Sequence, residues 1–315
     1  MRRRPIGSLS ASVVGLGCNN FGGRLDEAAT KAVVDAALDA GVDFFDTADT
    51  YGQTASETFL GRVLHGRRDR VVLATKFGSK LADGKQGARP EYVKQAIHAS
   101  LQRLAMDHVD LYQLHRPDPE VPIVETLGAL GELVKEGSVR EIGCSNFSAE
   151  QIEEAEAAAA SAGVPRFVSV QNELSLLKRD AELEVLPACR RHGIAFLPYF
   201  PLFSGLLTGK YRRGATLPPG TRITGNERWE RHLTDENFDL IEDLESFAKD
   251  HGKEILDLAF AWLLAKPEVA SVIAGATTPG QVQRNAEAGR WELSEDDVRQ
   301  VDSILETHAA RRTHG

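Results

Sequence analysis

Four residues of types that move protons are spaced along the first 115 positions: Asp46, Tyr51, Lys76 and His115. Asp46, Lys76 and His115 each close a short β-type run, and Lys76 does so at the end of Val71-Val72-Leu73-Ala74-Thr75. An ammonium at the edge of an apolar run is costly to bury without a carboxylate, and Asp46 is the candidate partner. Tyr51 follows Asp46 within Asp46-Thr47-Ala48-Asp49-Thr50-Tyr51-Gly52, so a short loop can return its hydroxyl to the same place. A free phenol, with a pKa of about 10, donates protons slowly near neutrality, and a neighbouring ammonium lowers that pKa. The chemistry expected is protonation of an oxyanion by Tyr51. Lys76 tunes the phenol, Asp46 orients Lys76 and balances its charge, and His115 positions the substrate oxygen. Tyrosine and lysine are poor hydrolytic nucleophiles, so a carbonyl accepting a hydride fits better than an ester or a phosphate.

The elements that must position these groups alternate along the chain. Candidate strands are Val13–Gly17, Val42–Asp46, Val71–Lys76, Val109–His115, Val139–Ser145, Phe167–Asn172, Ile194–Phe200 and Val269–Ile273. Between and after them, helical periodicity predicts Glu27–Ala40, Ser56–Leu64, Pro90–Leu104, Ile123–Lys135, Ala149–Ala162, Ala181–His192, Asn237–His251, Ile255–Leu264 and Pro279–Ala288, then an extra C-terminal helix over Ser294–Thr307. Gly41, Gly137, Gly163 and Gly193 fall just past helical runs, where a left-handed residue is favoured, and Ser148 with Gln151 forms a capping-box pattern. Eight strands with crossover helices and no Gly/Ser linker predict one α/β unit over residues 1–315, a (β/α)8 TIM barrel, whose chemistry gathers at strand C-termini. A doubly wound nucleotide fold would want G-x-G-x-x-G after the first strand, and Gly15-Leu16-Gly17-Cys18-Asn19-Asn20 lacks the third glycine.

One connection is too long for the pattern. From Pro201 to about Asp235, after strand seven, the chain carries Lys210, Arg212, Arg213, Arg222, Arg228 and Arg231 against Glu227, Glu230 and Asp235. Structureless loops of this length are uncommon, so a basic lid over an anionic ligand is expected on the active face. The whole chain is acidic, with 37 Lys and Arg against 46 Asp and Glu in 315 residues. It therefore lacks the general positive field used to bind nucleic acid. Cys18, Cys144 and Cys189 are widely spaced without a C-x-x-C pair, which argues against a disulfide framework or zinc ribbon and for a reducing cytoplasm. No apolar h-region follows Met1-Arg2-Arg3-Arg4-Pro5, and Leu256–Ala265, the most apolar helical stretch, is far short of the roughly 20 residues of a membrane span.

These residues resemble the aldo-keto reductases over essentially the whole chain. Asp46-Thr47-Ala48-Asp49-Thr50-Tyr51-Gly52 with Glu57, then Thr75-Lys76, then Leu114-His115-Arg116-Pro117-Asp118-Pro119, is similar to that family's Asp, Tyr, Lys and His tetrad in order and context. The resemblance implies a barrel that binds a nicotinamide cofactor without a Rossmann domain and transfers a hydride reversibly to a small aldehyde or ketone, with Tyr51 as proton donor. It implies a cofactor site made of Gly17; of Ser145, Asn146 and Gln171 at the carboxamide; of Tyr199 against the nicotinamide ring; of Pro201, Leu202, Ser204, Leu206 and Lys210, with Gly205 and Gly209, across the pyrophosphate; and of Gly275, Thr277, Gln281 and Asn285 at the adenosine end. Asn19, Asn20, Phe21, Phe77, Arg116, Phe203 and Trp229 are expected around the substrate. NADPH is the expected cofactor, with NADH also possible. Ile273–Gln281 contains no cation for a 2′-phosphate, so Arg284 is expected to swing toward it. A metal hydrolase is disfavoured because no H-x-H or H-x-x-x-H pair is present and Lys76 would repel the ion. A cofactor-holding, redox-sensing subunit of reductase ancestry is the alternative function.

Overall fold

Residues 1–313 are described by a computed structural model. An antiparallel hairpin of β1 (Arg3–Ile6) and β2 (Leu9–Ser12) comes first. The eight strands expected from the sequence follow, as β3 (Val14–Gly17), β4 (Phe44–Asp46), β5 (Val72–Phe77), β6 (Val109–Leu114), β7 (Val139–Ser145), β8 (Ser169–Gln171), β9 (Ala195–Phe196) and β10 (Val272–Gly275). They pair in parallel in the order β10-β3-β4-β5-β6-β7-β8-β9, and bridges Phe196–Val269 and Tyr199–Ile273 join the two ends. The sheet thus closes as a (β/α)8 barrel. The β9 ladder is shorter than Ile194–Phe200 because Pro198 has no N–H to donate and Phe200 adopts a φ of 52°.

The period of two along each strand decides what the barrel encloses. Phe44, Ala74, Leu111, Leu197 and Ile273 form one apolar cluster with Ile6, Leu9 and Ala11 of the hairpin, which therefore plugs one end of the barrel. Two positions further along β4, β5 and β6, the same inward parity delivers Asp46, Lys76 and Gln113, all buried polar residues. The alternate positions Phe45, Leu73, Phe77 and Tyr112 belong to the separate cluster between the sheet and the helices.

The helices are α1 (Glu27–Asp39), α2 (Ala55–Val63), α3 (Pro90–Leu104), α4 (Ile123–Glu136), α5 (Ala149–Ala162), α6 (Val185–His192), α7 (Glu227–Glu230), α8 (Asp235–Asp250), α9 (Ile255–Leu264), α10 (Pro279–Ala288) and α11 (Glu295–Thr313). Ser148 and Gln151 form the reciprocal capping box at α5, and Gly137, Gly163 and Gly193 close α4, α5 and α6 in left-handed geometry. α6 begins at Val185, not at Ala181, because Asp180–Glu182 forms a separate 3-10 turn and Pro187 is tolerated only in a helix's first turn. The extra C-terminal helix, expected over Ser294–Thr307, runs as α11 from Glu295 to Thr313. α9 is apolar except for Asp257 in its first turn, and all ten of its residues are buried, which suits a helix enclosed by others. No helix among the described residues is long and apolar enough to cross a membrane.

Candidate active site

At the strand C-termini, Lys76 Nζ donates to Asp46 Oδ2 at 2.7 Å and to the Thr47 carbonyl at 2.8 Å, and lies 3.3 Å from the Tyr51 hydroxyl. Asp46 and Lys76 are neighbours by strand pairing and inward parity. Tyr51 comes back over them through a tight turn in which Gly52, Gln53 and Thr54 all have positive φ. A Cβ on Gly52 would lie 2.4 Å from the Phe21 carbonyl oxygen, so the turn needs glycine there. The His115 ring meets Tyr51 edge-on with centroids 6.0 Å apart, and its Nδ1 is buried without a hydrogen-bond partner. Three of the four residues therefore form a continuous hydrogen-bonded chain, and the fourth stands beside the phenol.

A second tier holds this chain in place. Gln171 Nε2 donates to Asp46 Oδ1 at 2.9 Å and Gln113 Nε2 to the same oxygen at 3.3 Å. Asn146, left-handed at φ 63°, donates to the His115 carbonyl at 2.9 Å and accepts from the Tyr199 hydroxyl at 2.7 Å. Ser145 Oγ donates to the Gln171 carbonyl at 2.8 Å. Behind the loop, buried Glu57 accepts from Thr75 Oγ1 at 2.5 Å and from Arg103 Nε at 2.7 Å. Gln113 escaped the sequence reading, although its position two residues before His115 gives it the same inward parity.

The electrostatics follow from enclosure. Burial works against the Lys76 ammonium, but the charges of Asp46 and Tyr51 and their hydrogen bonds outweigh it and hold its pKa above the ordinary lysine value. Burial raises the Tyr51 pKa, and the Asp46 charge adds to this; Lys76 pulls it down without reversing the direction. The expected net lowering of the Tyr51 pKa is therefore corrected, because desolvation of a phenolate in this enclosed position exceeds the help from the ammonium. His115 is lowered to about 3 by burial, then by Lys76 and Arg116, so its imidazole is neutral around pH 7.

From this centre a cleft of ≈ 800 Å³ runs along the mouth to α10. Gly17, Ser145, Asn146, Gln171 and Tyr199 line one part, Pro201, Leu202, Ser204 and Lys210 another, and Gly275, Thr277, Gln281 and Asn285 the far end. Leu206 and Gly209 are the exceptions among the expected cofactor residues. Leu206 lies in the 3-10 turn Phe203–Thr208, which Gly209 closes; the turn sends Phe203, Leu206 and Leu207 into the core and leaves Ser204, Gly205 and Thr208 on the cleft. Of the expected substrate residues, Asn19, Asn20 and Arg116 line the cleft. Phe21 and Phe77 do not: both are fully buried, and Phe77 stacks on Tyr112 with centroids 4.6 Å apart. Strand parity explains Phe77, since its neighbour Lys76 points inward. Trp229 packs edge-on against Phe200 and Phe203, at 5.5 and 6.2 Å, and Phe200 is the ring that faces the cleft.

The basic segment also differs from its expected form. It contains the 3-10 turn and α7, and Tyr211 and Ile223 are buried in it. Arg212 pairs with Glu245, and Arg213 with Asp235, Asp239 and Glu242, so both are bound to α8 or its first residue. Lys210, Arg222 and Arg228 remain on the cleft. Two contacts tie the segment to the loop after β3: Arg222 donates to Asn20 Oδ1 at 3.0 Å, and Arg24, which the sequence reading missed, donates to the Gly220 carbonyl at 2.8 Å. Arg284 does not swing free toward the adenosine end. It grips both oxygens of Asp257, at 2.6 and 2.7 Å, and Glu254 at 2.9 Å.

An ammonium held between a carboxylate and a phenol thus lies at one end of a long cleft in a closed parallel barrel. Residues 13–306 match the aldo/keto reductase family, and the chain belongs to it. It is 36% identical to a probable aldo-keto reductase 1 of Glycine max, covering 92% of this chain and 84% of that protein. It is 32% identical to the protein tas of Escherichia coli, covering 97% of each, and 34% identical to the aldo-keto reductase YhdN of Bacillus subtilis, covering 95% of this chain and 91% of that one. Among solved structures, a glycerol dehydrogenase of Gluconobacter oxydans matches with a TM-score of 0.84 and 29% identity, over 96% of this chain and 94% of its own.

Proposed function

We propose that this oxidoreductase reduces an aldehyde or ketone to the alcohol with NADPH, that NADH also serves, and that Tyr51 is the general acid. The observation that carries the reading is the buried Asp46–Lys76–Tyr51 chain, with contacts of 2.7 and 3.3 Å, opening on the cleft beside a neutral His115. When bound, the reduced nicotinamide supplies the hydride to the carbonyl carbon. Tyr51 gives its proton to the oxygen that becomes negative. A raised phenol pKa does not prevent this, because an alkoxide is a far stronger base than a phenolate. Lys76 stabilises the phenolate that remains, and Asp46, fixed by Gln171 and Gln113, keeps the ammonium in place. His115, held neutral, serves the substrate oxygen through a hydrogen bond and does not compete as an acid.

The cleft fits a dinucleotide on its own features. Ser204 Oγ is buried without a partner on the cleft wall, and Gly205, at φ 99°, has Lys210 Nζ 3.0 Å from where a Cβ would stand. Gly275 leaves its floor flat beneath Asn19 and Asn20, each 3.3 Å from a Cβ built there. Lys210 and Arg222 would meet the pyrophosphate, Ser145, Asn146 and Gln171 the carboxamide, and Thr277 and Gln281 the adenosine end. Neutral donors favour a 2′-phosphate less than charge-assisted ones. The preference for NADPH is therefore narrow, about one or two powers of ten, or ~1.4–2.8 kcal/mol.

Oxidation of the reduced cofactor against a panel of aldehydes and ketones, glycerol's oxidised forms among them, tests the reaction. Tyr51→Phe should bind cofactor as the parent does and lose about 10²–10⁴-fold in carbonyl reduction. Near-parental turnover in that variant would remove Tyr51 from its role, and tight cofactor binding without turnover on any carbonyl would favour a sensing subunit.

A further inference from the structure

Apart from Arg284, which is held by Asp257 and Glu254, the cations on the cleft divide into two groups. Arg24, Lys210 and Arg222 gather where the basic segment crosses the loop after β3, and burial followed by the charges of Arg24 and Arg222 lowers the Lys210 pKa. On the reading above, the pyrophosphate answers that group. Arg116 and Arg228 both act on Tyr199, and Arg116 also acts on His115; of the first group, Arg222 reaches Tyr51. Arg228 covers the Trp229 ring at 5.2 Å, and its charge is felt by Glu173, the half-buried carboxylate on that wall. Arg116 has no such counterpart. Among the described residues its side chain makes no ion pair and no hydrogen bond. Asp46, the other carboxylate on the cleft, is already bound to Lys76. Arg116 is the residue after His115, whose imidazole it helps to keep neutral.

An unpaired guanidinium one residue from the group that receives the carbonyl oxygen is a recognition element for a negative charge on the same small molecule. We infer that the substrate is an anionic carbonyl compound, with a carboxylate or phosphate a few bonds from the aldehyde or ketone, and that Arg116 binds this anion and so places the carbonyl oxygen between Tyr51 and His115. The inference rests on the carbonyl-reduction reading. It assigns Arg116 to specificity and positioning, while proton transfer stays with Tyr51. Arg228 also makes no ion pair among the described residues, but it lies over the Trp229 ring and shares with Lys178 its action on Glu173, whereas no carboxylate answers Arg116.

Three matched pairs of substrates test it: 4-oxobutanoate against butanal, 4-carboxybenzaldehyde against benzaldehyde, and glyceraldehyde 3-phosphate against glyceraldehyde. The measured quantity is the ratio of kcat/KM, charged over neutral, within each pair. The parent enzyme should favour the charged member by about tenfold or more in at least one pair, mainly through KM, as expected when a charge-assisted contact binds ground and transition states alike. Preference in the carboxylate pairs alone identifies a carboxylate, and preference in the phosphate pair alone a phosphate. Arg116→Met should bring the favoured ratio to near one, whatever its absolute rates, and Arg116→Lys should restore part of it. Arg212→Met, altering a cation bound to α8, should leave the ratio as in the parent. Neutral aldehydes reduced as well as charged ones would overturn the anion assignment and leave carbonyl reduction standing. A ratio unchanged in Arg116→Met would overturn the role of that residue. No turnover on any of the six would overturn the reductase reading and this inference with it.

Discussion

Arg284 ties α10 to the capping box at the start of α9, where Glu254 and Asp257 cap each other's backbone. Its charge answers two carboxylates beside the α10 end of the cleft, where the proposed function puts the adenosine, and hydrogen bonds from Arg284 keep the Asp257 pKa below the ordinary value despite burial. Arg284→Ala should therefore act by exposing those carboxylates to the cofactor. Equilibrium titration with both reduced cofactors should show affinity for NADPH falling by about tenfold more than affinity for NADH, since a 2′-phosphate meets the uncovered charge and a 2′-hydroxyl does not. Equal losses would mean that Arg284 supports only the helix packing. The types and spacing of Asp46, Tyr51, Lys76 and His115 were legible in the sequence because strand ends and an unpaired lysine carry strong constraints. The partner of Arg284 was not, because Asp257 sits 27 positions away as the one charged residue of an otherwise apolar helix.

At the scale of elements, all eight barrel strands were legible, and helices α3, α5, α9 and α10 start and stop where capping and periodicity place them. The β1–β2 hairpin was missed. Its strands have four residues each, its first arm is Arg3-Arg4-Pro5-Ile6, and the burial of Ile6 and Ala11 depends on a barrel end that only the closed sheet creates. The basic segment after β9 was seen as a unit, yet its charges are not equivalent. Lys210→Ala should weaken cofactor binding by about tenfold and flatten its salt dependence, whereas Arg212→Ala, which loses only the exposed pair with Glu245, should change neither. Stopped-flow association of NADPH at several ionic strengths distinguishes the two. The same effect in both variants would mean that the segment steers the cofactor by its overall charge and not by the residues it turns to the cleft.

The whole molecule carries two buried groups behind and beside the candidate site whose titrations oppose each other. Asp49, 1% exposed and with neither carboxylate oxygen hydrogen-bonded, is raised to about 7 by burial and then by Glu57. The folded protein therefore holds a proton on Asp49 that an unfolded aspartate, with a pKa of about 3.9, has lost. Stability from this source is fully present below about pH 4 and disappears as pH rises to about 7. His115, lowered to about 3, has the opposite effect: between about 3 and 6.5 the unfolded chain binds a proton that the folded one refuses, so stability from this source is lost as pH falls through that window. From about pH 4 to 6.5 the two contributions cancel in slope. Asp49→Asn removes one of them. The variant should gain stability relative to the parent as pH rises from about 4 to 7, by up to ~1.4 kcal/mol per pH unit, and its own stability should fall on acidification below about 6.5. His115→Gln should show the mirror image, gaining on the parent as pH falls from about 6.5 to 3. Urea unfolding of the three proteins without nucleotide, across pH 4 to 8, measures both. A stability difference between Asp49→Asn and the parent that stays constant over that range would mean that Asp49 is ionised in the fold, with a partner other than the proton.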